Sequence, residues 1–275
     1  MLRLYRLRLY HRSINPMPPK PRLDYDLIAD QYHQRYRHSP MDETGAALLA
    51  LVHDLQPHTA LEAGCGSGRR LSLQQPHIPR LYGLDYSRGM LAQARPRTTV
   101  PLLQADAVHL PLAAQSLDLL YCVNALHHFP DGQAFTRAAY RALRPGGCLA
   151  VVGSDPHNRR GRWYVYDYFD RAWQIDQARF PTWAQVEGWL AQAGFTRLER
   201  RVVQVIDDPK RGRALLDDPF LPQASNSTLA LLSPEEYQAG RARLRAALAD
   251  AEARGEELRF ESVLILELLT GFKLR

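Results

Sequence analysis

The stretch Thr59–Arg69, TALEAGCGSGR, joins a short apolar run to three glycines at alternate positions. Glu62 lies near the end of the run, and Gly64, Gly66 and Gly68 follow. Glycine has no Cβ, so a backbone built this way can turn sharply and come close to a ligand. Between a parallel strand and a helix, such a turn makes a nucleotide-type pocket at the carboxyl end of a sheet. The spacing argues against a dinucleotide. The G-x-G-x-x-G fingerprint needs glycine at position 69, where this chain has Arg69. Taken alone, the motif is also compatible with a glycine-rich turn that binds nothing.

Four further segments follow in order. RLYGLDYSRGML ends an apolar run at Asp85, 23 residues after Glu62. An acid at the tip of a second strand can accept two hydrogen bonds from ribose hydroxyls. VPLLQADAVHLPL ends its run at Asp106, whose carboxylate can accept from an exocyclic amine. SLDLLYCVNALHHF opens into Asn124, then His127 and His128. ALRPGGCLAVVG closes a helix with Arg144 and turns through Pro-Gly-Gly into another apolar run. The competing role for Asp85 and Asp106 is a helix cap or a solvated loop acid.

From about Asp24 to Gly153 these ordered motifs resemble the class I S-adenosylmethionine-dependent methyltransferases. The resemblance is to the small-molecule type related to the ubiquinone/menaquinone-biosynthesis methyltransferases. The resemblance implies S-adenosyl-L-methionine as cofactor and a small-molecule acceptor. It implies that Glu62, Gly64, Gly66 and Gly68 wrap the methionine part. Asp85 would hold the ribose hydroxyls, with Tyr86 and Met90 beside the adenine. Asp106 and Ala107 would face the adenine edge, and Asn124 and Ala125 would lie near the sulfonium. A general base is needed only when the nucleophile arrives protonated. His127 and His128 are the candidates for that role, or hydrogen-bonded structural histidines. Two other uses of the fold stay open: an enzyme that cyclises or cleaves the cofactor itself, and a non-catalytic cofactor binder.

The segment Gly161–Trp173, GRWYVYDYFDRAW, is dense in aromatics. Read as a lid helix, it places Trp163, Tyr166 and Trp173 near one face and pairs Tyr164 with Tyr168 at i, i+4. Tyr164 and Tyr168 are therefore the candidate substrate contacts, against ordinary packing of a lid on the sheet edge. Arg159, Arg160 and Arg162 form a basic loop before it. Ser225, Asn226 and Ser227 are either substrate contacts or helix caps.

The charge pattern bears on partners. The chain has 275 residues, 35 Lys and Arg, 29 Asp and Glu, and a formal charge of +6. Six of the basic residues precede Asp24, with no acid among them, which leaves 29 basic against 29 acidic residues in the body. A neutral body offers no footprint for a phosphate backbone, so no nucleic-acid partner is expected. No stretch approaches the ~20 apolar residues of a membrane span, so a soluble, cytoplasmic protein without a membrane partner is expected. Cys65, Cys122 and Cys148 are scattered and suggest no metal site. The sequence does not set an oligomeric state.

The elements that must position these groups follow from periodicity. Candidate strands are Ala60–Ala63, Arg80–Leu84, Pro101–Ala105, Leu117–Val123 and Cys148–Val152. Helical patterns span Asp24–Tyr36, Asp42–Leu55, Ser87–Ala94, Gln133–Leu143 and Thr182–Ala193. Alternating apolar runs and helices predict a parallel sheet covered on both faces. The expected fold is α/β, a doubly wound Rossmann-like sheet of about seven strands with helical lid and insert. Its last strand, Phe260–Phe272, should be antiparallel. Residues 1–22 read as a disordered basic tail. Residues 23–275 read as a single domain with helical insertions at about 154–180 and 207–255.

Overall fold

A computed structural model describes residues 23–29 and 42–275. The elements run α1 (Asp42–Leu55), β1 (Thr59–Ala63), α2 (Arg69–Gln74), β2 (Arg80–Asp85), α3 (Arg88–Ala94) and β3 (Leu102–Gln104). Then come β4 (Leu117–Val123), α4 (Gly132–Ala142), β5 (Leu143–Gly153), β6 (Arg162–Trp163), α5 (Val165–Tyr168) and α6 (Ala172–Arg179). The chain continues through α7 (Trp183–Ala193), β7 (Phe195–Asp207), β8 (Lys210–Arg211), α8 (Pro234–Ala253), β9 (Arg259–Phe260) and β10 (Ser262–Lys273).

Eight strands form the main sheet, in the order β3-β2-β1-β4-β5-β10-β6, with β7 also paired to β10. The β1–β2, β2–β3, β1–β4 and β4–β5 pairs are parallel. Strand β10 is antiparallel to both β5 and β7. The order reverses between β1 and β4, which opens a crevice at their carboxyl ends.

Every residue of β1 is buried. Helices on both faces explain why its sequence reads as a continuous apolar run. On one face Leu48, Val52, Leu71 and Leu91 from α1, α2 and α3 pack against Leu81 and Leu119. On the other, Phe135 and Ala139 of α4 and Val186 and Leu190 of α7 meet Leu61, Leu120 and Leu149. Helix α7 begins at a reciprocal capping box between Thr182 and Gln185 and stops at Gly194, whose φ is 102°. A third apolar cluster joins α5, α6 and α8 through Val165, Phe169, Ala172, Ile175, Leu244 and Leu248.

The five parallel strands lie on the apolar runs that predicted them, and the final antiparallel strand is present. It begins at Ser262 rather than Phe260, because Arg259 and Phe260 pair with β8 instead. Gly161–Trp173 is not one helix. Gly161 lies so close to β10 that an added Cβ would be 2.7 Å from the Val263 carbonyl oxygen. This approach lets Arg162 and Trp163 pair with β10, and a break at Phe169–Arg171 then separates α5 from α6. The helical insert is α8 alone. Pro219, Pro222 and the polar run Ser225–Thr228 hold the preceding stretch in 3-10 turns. Of the predicted helix Asp24–Tyr36, a 3-10 turn at Tyr25–Leu27 is seen, capped by Asp24. Residues 30–36 and the 1–22 tail lie outside the described residues.

Candidate functional site

A cavity of about 490 Å³ opens at the carboxyl ends of β1, β2 and β4. The glycine turn forms its floor. Gly64, Gly66 and Gly68 have φ of 72°, 52° and 77°, the left-handed region that favours glycine. Their roles differ. A Cβ on Gly64 would be 2.5 Å from the Ala125 Cβ, so this glycine lets the turn press against the end of β4. A Cβ on Gly66 would meet no protein atom within 4 Å, and this residue lines the cavity. Gly68 does not line it; it starts α2 and packs close to Ala94.

Besides Asp24 and Asp26, three acids converge on the cavity. Asp85 accepts from the Gly66 amide at 2.8 Å and from the Ser87 amide at 2.9 Å, one on each oxygen. It thereby braces the glycine turn, with the Tyr86 amide as a further backbone donor, and keeps acceptor capacity for a ligand hydroxyl. Burial raises its pKa, against the pull of those backbone donors. Glu62 is 2% exposed. Burial pushes its carboxyl up to about 8, opposed by the Arg70 charge and by the Tyr121 hydroxyl at 3.5 Å. Asp106 accepts from the Val108 amide at 3.1 Å, so it caps a short 3-10 turn and lines the cavity as well. Tyr86, Met90, Ala107, Asn124 and Ala125 also line it.

The roof of the cavity has no motif of its own in the sequence. Leu23–Asp26 lies over the cavity and is pinned at two points. Asp26 accepts from the Gly89 amide at 2.7 Å and from the Ser87 hydroxyl, which holds its carboxyl below the usual range. The Tyr25 hydroxyl lies 2.7 Å from His128 Nε2. In the sequence these residues read only as the start of the helical pattern Asp24–Tyr36.

A second cavity, of about 810 Å³, adjoins the first. Asn124, whose φ is 49°, lines both. The histidine pair divides between them. His128 lines the first, whereas His127 lines the second and stacks on Phe180 with ring centroids 3.9 Å apart. Trp163, Tyr166, Phe180 and Phe220 supply aromatic wall to the second cavity. Tyr166 packs edge-on against both Trp163 and Trp173, so the three rings meet although no single helix carries them.

Tyr164 and Tyr168 line neither cavity. Tyr164 is 1% exposed, donates to Asp218 at 2.8 Å, and packs with Tyr168 against Phe260. The i, i+4 pair exists, but it faces the third core. Asn226 also has a structural task, since its oxygen accepts from the Thr228 and Leu229 amides. Arg160 and Arg162 pair with Glu267 and Glu261. Arg179, which the sequence reading passed over, is 1% exposed and lies 3.0 Å from His128 Nδ1.

The donor set suits S-adenosylmethionine. A buried carboxyl, an acid braced at a strand tip and a glycine facing open space match its cationic, hydroxyl-bearing and bulky parts. Among known proteins, residues 61–151 match the methyltransferase domain family. The chain is 35% identical to the methyltransferase GfsG of Streptomyces halstedii, over 41% of this chain and 45% of that one. It is 33% identical to the trans-aconitate 2-methyltransferase of Methylobacterium nodulans, over 55% of this chain and 62% of that one. It thus spans about half the length of the curated relatives it matches. Its fold is similar to Haemonchus contortus phosphoethanolamine N-methyltransferase 2, solved with S-adenosyl-L-methionine. The TM-score is 0.55 at 18% identity, covering 91% of this chain and 57% of that one. Residues 61–151 therefore match a methyltransferase domain, and the chain has the fold of solved S-adenosylmethionine-dependent methyltransferases.

Proposed function

We propose that this protein transfers the methyl group of S-adenosylmethionine to a small-molecule acceptor held in the second cavity. The observation that carries the reading is Asn124, which lines both cavities at the end of β4. A transfer needs two ligands brought end to end with water excluded, and two adjoining cavities with a shared wall provide that.

When bound, the cofactor supplies an activated methyl on a sulfonium. The chain's own residues bind and orient. Asp85 would take the ribose hydroxyls, and Glu62 the cationic end. Tyr86, Met90, Asp106 and Ala107 would frame the adenine. The Leu23–Asp26 segment, held by Asp26 and Tyr25, would close over the cofactor. Trp163, Tyr166 and Phe180 would shape the acceptor space. The concave site and the neutral body favour a small metabolite over nucleic acid.

Purified protein incubated with methyl-labelled cofactor and pools of small metabolites tests this. Label in an acceptor together with S-adenosylhomocysteine is the expected outcome. Methylthioadenosine as the product would indicate cleavage or cyclisation of the cofactor. Tight cofactor binding with neither product across broad pools would indicate a binder.

A further inference from the structure

We infer that Arg179 is a positioning residue that holds the His128 ring uncharged, with its proton on Nε2, and so directs a hydrogen bond to Tyr25. Arg179 Nη2 lies 3.0 Å from His128 Nδ1. A guanidinium has donors only and keeps its proton in proteins. Nδ1 must therefore accept. The proton of a neutral ring then sits on Nε2, 2.7 Å from the Tyr25 hydroxyl oxygen. Nε2–H donates to that oxygen, and the phenol's own proton points away from the ring.

The arginine is built in rather than swept against the ring. It is 1% exposed, and Asp176, itself 2% exposed, lies 3.6 Å from Nη1. The Asp176 oxygens accept from Tyr166 at 2.7 Å and from Thr228 at 2.8 Å. Tyr166 and Thr228 both line the acceptor cavity. Among the described residues, the titratable groups at the His128 ring are Tyr25, His127 and Arg179, with Asp176 beyond the guanidinium. A proton added to His128 would displace the Arg179 hydrogen bond and set two cations together in a partly buried place.

The consequence for chemistry rests on the methyl-transfer reading. With Nδ1 engaged and Nε2 already protonated, His128 does not take a proton from the acceptor. Its task is to fix Tyr25 over the cofactor.

The full chain, labelled with ¹⁵N-histidine and free of ligands, reports this directly by long-range NMR correlations of the imidazole rings. The His128 signals are those lost in His128→Gln. The expected spectrum shows the Nε2–H form, unchanged from about pH 5 to pH 8. In Arg179→Met, His128 should begin to titrate near the ordinary histidine value of ~6.5. A wild-type His128 that carries its proton on Nδ1, or that titrates near ~6.5, overturns the proposal. So does an Arg179→Met protein whose His128 behaves as in wild type. If that variant does not fold, the wild-type spectrum alone still decides. A locked ring in a protein without methyl-transfer activity would uphold this inference and sink the proposed function.

Discussion

Raising the pH from about 6 to about 7 should tighten cofactor binding about ninefold, and Glu62→Gln should remove most of that dependence. The free protein holds Glu62 protonated through this range, because burial pushes its carboxyl up to about 8. S-adenosylmethionine brings an ammonium and a sulfonium. A positive charge beside the carboxyl favours its ionised form, so the complex holds fewer protons than the free protein. Binding therefore strengthens as pH rises toward 8 and levels off above it. With a folded value of about 8, roughly 0.9 of the free molecules carry this proton at pH ~7, so about 0.9 proton leaves on binding. The window lies below the titration of an α-amine, ~7.7–8, so the cofactor's own amine stays charged. Calorimetry in two buffers of different ionisation heat counts the protons. Asp85 is also pushed up by burial, and the Glu62→Gln control isolates the Glu62 share. The same raised value carries a sign for stability. The unfolded carboxyl ionises near ~4.3, so the free protein should lose stability as pH rises from there to about 8. Affinity that is flat between about pH 6 and 7, or equal proton release from Glu62→Gln, would refute the reasoning.

Asp85→Ala should weaken cofactor binding ~10- to 150-fold, since it removes charge-assisted hydrogen bonds worth ~1.5–3 kcal/mol. An unchanged dissociation constant by calorimetry would take Asp85 out of the site. Gly66→Val should abolish binding and also lower the melting temperature, because its side chain would project into the cavity and a φ of 52° strains a β-branched residue. Normal affinity in that variant would mean the turn does not contact the cofactor. Gly240→Ala should lower stability by ~1–3 kcal/mol with cofactor affinity intact, as an added Cβ would lie 2.2 Å from Phe169. An unchanged melting temperature would show that α5 and α8 yield without cost.

The residues of the first cavity were legible because local chemistry writes them. A glycine at a positive φ, an acid at a strand end and an apolar strand between helices each leave a mark within a few residues. Glu62, Gly66, Asp85 and Asp106 all line the cavity from such marks. Gly68 shows the limit, since its spacing fits the motif while its task is to start α2. The roof and the arginine were not legible. Tyr25 meets His128 across 103 positions and Arg179 meets it across 51, and no local pattern reports such a pairing. The aromatic segment failed differently. Helical spacing correctly brought Tyr164 and Tyr168 together, but β10 captured Arg162 and Trp163 and turned the pair toward Phe260. The turn left Trp163 and Tyr166 facing the cavity. Periodicity says which residues share a face, and only the tertiary pairing says what that face meets.

This division bears on what the relatives can tell about the acceptor. The family match ends at residue 151 and contains most of the cofactor cavity. The second cavity draws nearly all its wall from beyond that point, on β6, α6, β7, the Asn226–Thr228 stretch and β10. Asn124 and His127 are its contributions from the matched region. The same cofactor half can therefore serve acceptors as different as those named for the relatives, while the later residues select among them. On the proposed methyl-transfer reading, Trp163, Tyr166, Phe180 and the polar groups around Asp176 would set the acceptor. Substitutions there should change which molecule is methylated and leave cofactor affinity in place. An acceptor pool screened against Tyr166→Phe and Phe180→Ala reads that difference, and an equal loss of cofactor binding in both would show that the two cavities do not divide the work.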